Sequence, residues 1–443
     1  MTQTRSDGVA VLGHYGQLNL GDESITAAAI GGARRCRPGA RVIAISLDPD
    51  DTRTRHGVES FALRRYVSRP PVDPPIAGLS ASSSTPASGL KAALRRVPLL
   101  VGAVGIARRL AGMVAETLRE IASLPASWRA LRGIDLVIIA GSNQLLDQFG
   151  GAWGFPYSLL RWTLLARLRG ARVVLLSVGA GPLAGKLACL FVRLTLRLSS
   201  YASVRDEGSA RLVQQIGWRE ALPVRPDLAF SFEASPQNPR AEESADKGRS
   251  LVVGVNLMPV HDPRWWPGAK PEIHERYLAA VNGLVEDLLV NGHRVELYST
   301  QPADEWIAND LLARMRDNPH RERLSLTRVR TLDQLNTLYH RCDILVPTRF
   351  HGILLALRFA RPVLGICYYR KSRELMRDFG SDEFAFDLET VTADQLKAGF
   401  ASLVADQARF VERVRRVAAE READLEAQYR RVLSIQSTEN ARA

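Results

Sequence analysis

The strongest constraint on the fold is a rhythm: a short apolar run, a glycine-bearing turn, then a stretch patterned like a helix. Val9-Ala10-Val11-Leu12 leads into Gly13 and Gly16, residues 135–140 (DLVIIA) into Gly141-Ser142-Asn143, and residues 173–178 (VVLLSV) into Gly179-Ala180-Gly181-Pro182. Runs this short and apolar read as strands buried on both faces, and helices between them imply parallel crossovers. Residues 41–47 add a strand, and helices are expected from about residue 23, over 157–169 and over 186–198. Tyr201-Ala202-Ser203-Val204 follows, Arg205-Asp206 opens another helix, and residues 227–232 close this half.

Residues 233–249 are polar, contain proline and lack periodicity, which places a boundary there. The rhythm then restarts, with strands at 251–256, 294–298, 343–347 and 362–367. Helices are expected at 274–290, 304–316, 332–341 and 352–360, with Thr331 as N-cap and Gln334 at N3 of the third. A long amphipathic helix over about 405–433 ends the pattern. The expectation is an α/β chain of two Rossmann-like domains, 1–235 and 250–443, facing a cleft and closed by the C-terminal helix. Ligand-binding loops should sit at the strand C-termini.

The 443 residues are 46% hydrophobic and 24% charged, enough for two cores. Net charge is 59 − 47 = +12, of which residues 64–132 supply +8 from eleven Lys/Arg and three Asp/Glu. Within that block, about 66–90 is Pro/Ser-rich and reads as a linker. Residues 91–124 are apolar at helical spacing and punctuated by arginine, which fits either a core-packed helix pair or an amphipathic segment on an anionic membrane face. The block lacks interleaved aromatics and any strand-binding motif, so nucleic acid is not an expected partner. No long apolar span or secretory leader is evident, so a cytoplasmic location is expected, peripheral to the membrane if 64–130 binds it. Four scattered cysteines, with no C-x-x-C pair and no His/Cys/Asp cluster, suggest neither disulfides nor a metal, and no cofactor is expected.

Four segments could carry chemistry. The turn Gly13 to Glu23 places glycines before a helix start, suited either to a tight α/β connection or to an anion, and its spacing is not G-x-G-x-x-G. Asn143 ends an apolar strand beside two glycine-bearing strand ends. Arg205 could present a fork to a phosphate or carboxylate, or form a surface pair with Asp206. The most informative segment is Thr348-Arg349-Phe350-His351-Gly352. Helix starts favour acidic residues, so Arg349 and His351 there call for an anionic partner. Lys371, one of six lysines, follows the next strand and would reach the same rim.

Taken in order, these segments resemble the polysaccharide pyruvyl transferase family. The series is Gly13-x-x-Gly16-x-x-Asn19-x-Gly21-Asp22-Glu23, Gly141-Ser142-Asn143, Gly179-x-Gly181-Pro182, Val204-Arg205-Asp206-x-x-Ser209, Pro226-Asp227, Arg349-Phe350-His351-Gly352 and Tyr369-x-Lys371. The resemblance covers about 8–62 and 130–385. It implies a fold similar to B-type glycosyltransferases and transfer of pyruvate, as a ketal, from phosphoenolpyruvate to a sugar of a cell-surface glycan or its lipid-linked precursor. It also implies donor-site roles for Arg205, His351 and Lys371. Asn143 replaces the family's usual third glycine, Gly352 stands where alanine is common, and the 64–130 insertion is long, departures that bear on the acceptor.

The chemistry then assigns His351 as general acid or phosphate-protonating group. Arg205, Arg349 and Lys371 would hold phosphate and carboxylate. Asp22 would accept the sugar proton or merely cap its helix. Gly16, Asn19, Gly21 and Asn143 are the remaining substrate-binding candidates. Two other readings stay open: a nucleotide-sugar glycosyltransferase of the same architecture, and a non-catalytic glycan-assembly factor.

Overall fold

A computed structural model describes residues 7–64, 120–233, 249–266 and 268–434. The linker expected over about 66–90, residues 91–119 of the expected amphipathic segment and most of the boundary segment lie outside these residues.

The N-terminal half is a parallel sheet in the order β3-β2-β1-β4-β6, built from β1 (Gly8–Leu12), β2 (Arg41–Ser46), β3 (Glu59–Ala62), β4 (Leu136–Ala140) and β6 (Arg172–Ala180). β5 (Asn143–Leu145) resumes the line of β4 along β6, and β7 (Tyr201–Val204) pairs with the other edge of β6. Gly141 and Ser142 separate β4 from β5 with positive φ angles of 45° and 51°. A side chain at Gly141 would also meet Ile25, so this position needs glycine twice over. The second half repeats the order as β10-β9-β8-β11, from β8 (Val252–Asn256), β9 (Arg294–Ser299), β10 (Leu324–Arg328) and β11 (Ile344–Pro347). A bridge from Leu345 to Val363 and the pair β12 (Gly365–Cys367) and β13 (Ala385–Asp387) extend it. Each half is therefore a doubly wound sheet with its crevice where the strand order reverses.

The helices follow the sequence closely. They are α1 (Leu20–Cys36), α2 (Pro49–His56), α3 (Phe155–Leu168), α4 (Lys186–Leu198), α5 (Glu207–Gln215), α6 (Pro271–Val290) and α7 (Asp304–Arg314). α8 (Leu332–Arg341), α9 (Phe350–Arg358), α10 (Arg370–Asp378), α11 (Ala393–Ala405) and α12 (Gln407–Ser434) follow, and residues 120–130 are also helical, before β4. Thr331 and Gln334 form the expected capping box of α8. Helix α1 starts earlier than expected, because the Asn19 side chain accepts from Gly21 N and lets Leu20-Gly21 join the first turn. Residues 227–232 close the first half as a 3-10 turn capped by Asp227.

One apolar core runs from β1 and α1 through the second sheet to α12. Helix α12 returns to the first half: Tyr429 fills the space above Gly32, and Gln428 bonds Ser177 and Ser203 within the N-terminal sheet.

Candidate active site

The C-terminal ends of β1, β4, β9 and β11 converge on a cavity of about 500 Å³ between the halves, lined by His14, Ser142, Thr300 and Arg349 from those four ends. The halves touch directly at its floor, where Leu20 N donates to Thr300 O at 3.4 Å.

On the N-terminal wall, Asp22 is held from two sides. Asn19 Nδ2 donates to one carboxylate oxygen at 2.6 Å and Ser142 Oγ to the other at 2.7 Å. Asp22 therefore does more than sit at a helix start: its carboxylate is fixed, and it lines the cavity. Gly16 lies behind this wall. Its N–H donates to the buried Glu23 at 2.8 Å, and Glu23 also pairs with His56 Nε2 at 2.7 Å. Gly16, expected to bind substrate, thus has a structural explanation in this turn. Asn143 is wedged against Gly179 and Gly181, whose missing side chains make room for it.

On the C-terminal wall, α9 begins without a side-chain cap and without an acid in its first turn. Its free N–H groups and its dipole favour an anion. Arg349, at the N-cap, is locked by Asp304, a fully buried carboxylate that accepts from Nε at 2.8 Å and from Nη2 at 2.5 Å. Asp304 also accepts from Thr300 N and Gln301 N, so the guanidinium is placed by a network rather than by one contact. Burial alone would lower the Arg349 guanidinium, yet Asp304 outweighs it and holds the group above its ordinary value.

His351 packs onto Gly21, where a methyl group would overlap Nδ1. Its Nε2 lies 3.9 Å from Asp227 and, although buried, makes no hydrogen bond. Burial pushes the imidazole below 6.5, with Asp227 and Asp22 only partly countering it. Arg205 donates to Asp227 at 2.9 Å, while its buried Nε, 3.7 Å from Asp206, also lacks a hydrogen bond. Burial opposes its charge, but Asp227, Tyr369 and Asp206 raise the guanidinium above its ordinary value. Both nitrogens belong to one cavity wall, and buried polar atoms of this kind are ordinarily hydrogen-bonded.

Lys371 departs from expectation. Its ammonium turns to Asp206 at 3.1 Å, in a neighbouring cavity of about 510 Å³ on the other side of Arg205. Arg205 lines both spaces, so the other three expected cations are arranged around it, with Arg349 and His351 on one side and Lys371 on the other. Burial and Arg205 hold the Lys371 ammonium below its ordinary value, against the pull of Asp206. Sequence reasoning did not single out Asp304 or Ser142, which position Arg349 and Asp22. Asp304 has only the signature of a first-turn acid, and Ser142 only that of a strand-end residue.

The polysaccharide pyruvyl transferase family model matches residues 19–369. The chain belongs to that family. As a member of the polysaccharide pyruvyl transferase family it is placed among transferases, and the match spans both walls of the cavity. Among solved structures, it is similar to Anabaena Alr3699/HepE in complex with UDP and glucose, at 11% identity and TM-score 0.52, with 96% of this chain and 98% of that one covered. It is also similar to the UDP-GlcNAc 2-epimerase of Methanocaldococcus jannaschii, at 9% identity and TM-score 0.54, over 90% and 92% of the two chains. The Neisseria meningitidis UDP-GlcNAc 2-epimerase bound to UDP-GlcNAc gives 12% identity and TM-score 0.50, over 92% and 94%. At such identities the likeness is one of fold, and it establishes for this pyruvyl transferase family member the two-sheet architecture similar to B-type glycosyltransferases.

Proposed function

We propose that the cavity takes phosphoenolpyruvate and transfers its pyruvyl group, as a cyclic ketal, to two hydroxyls of one sugar in a cell-surface polysaccharide or its lipid-linked precursor. The observation that carries this reading is the unsatisfied anion-binding wall: the uncapped start of α9, His351 Nε2 and Arg205 Nε around one cavity, with the fixed Asp22 carboxylate opposite.

In this reading Arg349 and the α9 N–H groups take the phosphate or carboxylate, and Arg205 takes the other. A proton adds to the C3 methylene of the donor, C2 becomes electrophilic, and a sugar hydroxyl oxygen bonds to it. The C2–O bond to phosphate then breaks, and the second hydroxyl closes the ring. The two hydroxyl protons balance the one gained by C3 and the one carried off with phosphate, and nothing is oxidised. His351 is assigned the proton at C3 or at the leaving phosphate, and Asp22 the proton from the sugar. Lys371, paired with Asp206, acts on the donor site through Arg205 in the free protein. The chemistry assigned here uses no metal or cofactor.

Binding of phosphoenolpyruvate measured by calorimetry beside UDP-glucose and UDP-GlcNAc tests the proposal. Selective binding of phosphoenolpyruvate that disappears in His351→Ala and Arg205→Ala is expected. Selective binding of a nucleotide sugar would replace this reading with glycosyl transfer. Glu374, the acid that glycosyl transfer would assign to a ribose, is paired with Arg370 at 3.2 Å and lines the neighbouring cavity instead of this one, which weakens that alternative.

A further inference from the structure

Helices α3 and α4 pack side by side on the outer face of the N-terminal sheet, and each keeps an apolar stripe in solvent. On α4, Leu187, Leu190 and Leu194 are 41%, 40% and 37% exposed at helical spacing, and on α3 Leu164 and Leu168 are 43% and 73% exposed. Trp153, 64% exposed, joins the two stripes through Phe191 at 5.7 Å and Tyr157 at 5.2 Å between ring centres. Phe149, four residues before Trp153 and 56% exposed, lines the interdomain cavity, so the turn that carries Trp153 also reaches the site. Exposed apolar residues scattered singly need no explanation, but a contiguous patch on two helices does.

The charge carried by the two helices is basic. Residues 148–204 contain seven Lys/Arg and no Asp or Glu. Lys186, Arg167 and Arg197 are exposed on the same two helices. Asp147, the carboxylate just before this stretch, is turned to the entry of α4, where it accepts from Ala184 N and Gly185 N. No described helix is long and apolar enough to cross a membrane, so these leucines are surface groups and not part of a span.

We propose that the α3–α4 face docks on an anionic lipid bilayer, with the leucines and Trp153 entering the headgroup boundary and Lys186, Arg167 and Arg197 meeting lipid phosphates. Exposed leucines beside Lys186, Arg167 and Arg197, with Asp147 bound to the entry of α4 and Glu120 paired with Arg161, fit such a surface, since burial and attraction to anionic headgroups add together. A protein partner or second copy would have to supply an apolar face ringed by acids, and this chain's own patch is basic. Docking there sets Phe149 and the cavity mouth beside the bilayer, where a lipid-anchored acceptor lies. The docking itself does not rest on the pyruvyl-transfer reading, and its test contains no turnover.

The full-length protein is floated with phosphatidylcholine vesicles that contain or lack phosphatidylglycerol, and its oligomeric state is measured in parallel. Binding to the anionic vesicles alone is expected. It should fall about tenfold in L187E/L190E and by a similar factor in K186A/R197A, which leaves the apolar stripe intact. Retained binding in both double variants would overturn the proposal by assigning membrane affinity to another surface. So would a dimer that L190E converts to monomer without vesicles, because the patch would then face a second copy.

Discussion

His351, in the first turn of α9, rests against the backbone of Gly21, in the first turn of α1, so that two helix N-termini from opposite halves meet through an imidazole and a missing side chain. This contact makes the position of His351 depend on a residue that carries no chemistry of its own.

Gly21→Ala should therefore act on catalysis more than on stability. Gly21 has helical backbone geometry, where alanine is favoured by about 1 kcal/mol. The added methyl must nonetheless displace the imidazole, and misplacement by about 1 Å costs about a hundredfold in rate. The expected result is a thermal midpoint near wild type with kcat down about a hundredfold. Wild-type turnover would show that His351 need not lie where the structure puts it.

Acidification should destabilise the free protein and strengthen donor binding. His351 is held below 6.5 in the folded state by burial, as are His14, His293 and His340. Below pH 6.5 the unfolded chain binds more protons than the folded one, so stability falls as pH drops through 6.5 toward the depressed folded values, and nothing is lost above it. The thermal midpoint should decline from pH 7 to pH 5, less steeply in His351→Gln. An anion beside His351 favours its protonated form, so phosphoenolpyruvate binding near pH 7 should take up protons. Calorimetry in buffers of different ionisation heat reads that uptake, which should vanish in His351→Gln.

Asp304→Asn should loosen Arg349. Removing the charge leaves a buried guanidinium without its counter-ion, at a cost of about 3–5 kcal/mol. Chemical denaturation should show that loss, and KM for the donor should rise while the acceptor KM stays nearly constant. A donor KM equal to wild type would remove Arg349 from the donor site.

Gly179→Ala tests the space that Gly179 leaves for Arg205 and Asn143. A methyl there would come within 2.7 Å of Arg205 Nε and 2.8 Å of Asn143 Oδ1. Arg205 is confined by Asp227 and cannot yield freely, so donor affinity should fall about tenfold, a loss of about 1.4 kcal/mol. Titration calorimetry measures it, and unchanged affinity would separate Arg205 from donor binding.

Much of this was legible in the sequence because strand and helix periodicities are local. The strands at β1, β4 and β11, the capping box of α8 and the long α12 all follow from residues within a few positions of one another. The clustering of Arg349, His351 and Asp22 was also legible, since strand C-termini in such sheets face one crevice. What escaped depends on direction or distance. Lys371 does follow a strand end, but spacing along the chain does not say that its ammonium turns to Asp206 instead of the cavity. The Asp304–Arg349 pair joins residues from two different strand–helix turns, and nothing local links them. The three-residue strand β13 is too short to show an alternation, and α2 lacks an apolar stripe, being held mainly by its Asp48 cap and a terminal Gly57 at φ 60°.

The return of α12 to the first half has a consequence for how the chain matures on the ribosome. Tyr429 covers Gly32, and Gln428 accepts from Ser203 at 2.8 Å and donates to Ser177 at 3.3 Å, so these two serines of the first sheet wait for a residue made 225 and 251 positions later. An emerging N-terminal half can wind its strands, but Ser177 and Ser203 lack their Gln428 partner until α12 arrives. Synthesis that stalls before α12 thus leaves a sheet with an open seam, and completion of the last helix is the step that seals both halves at once.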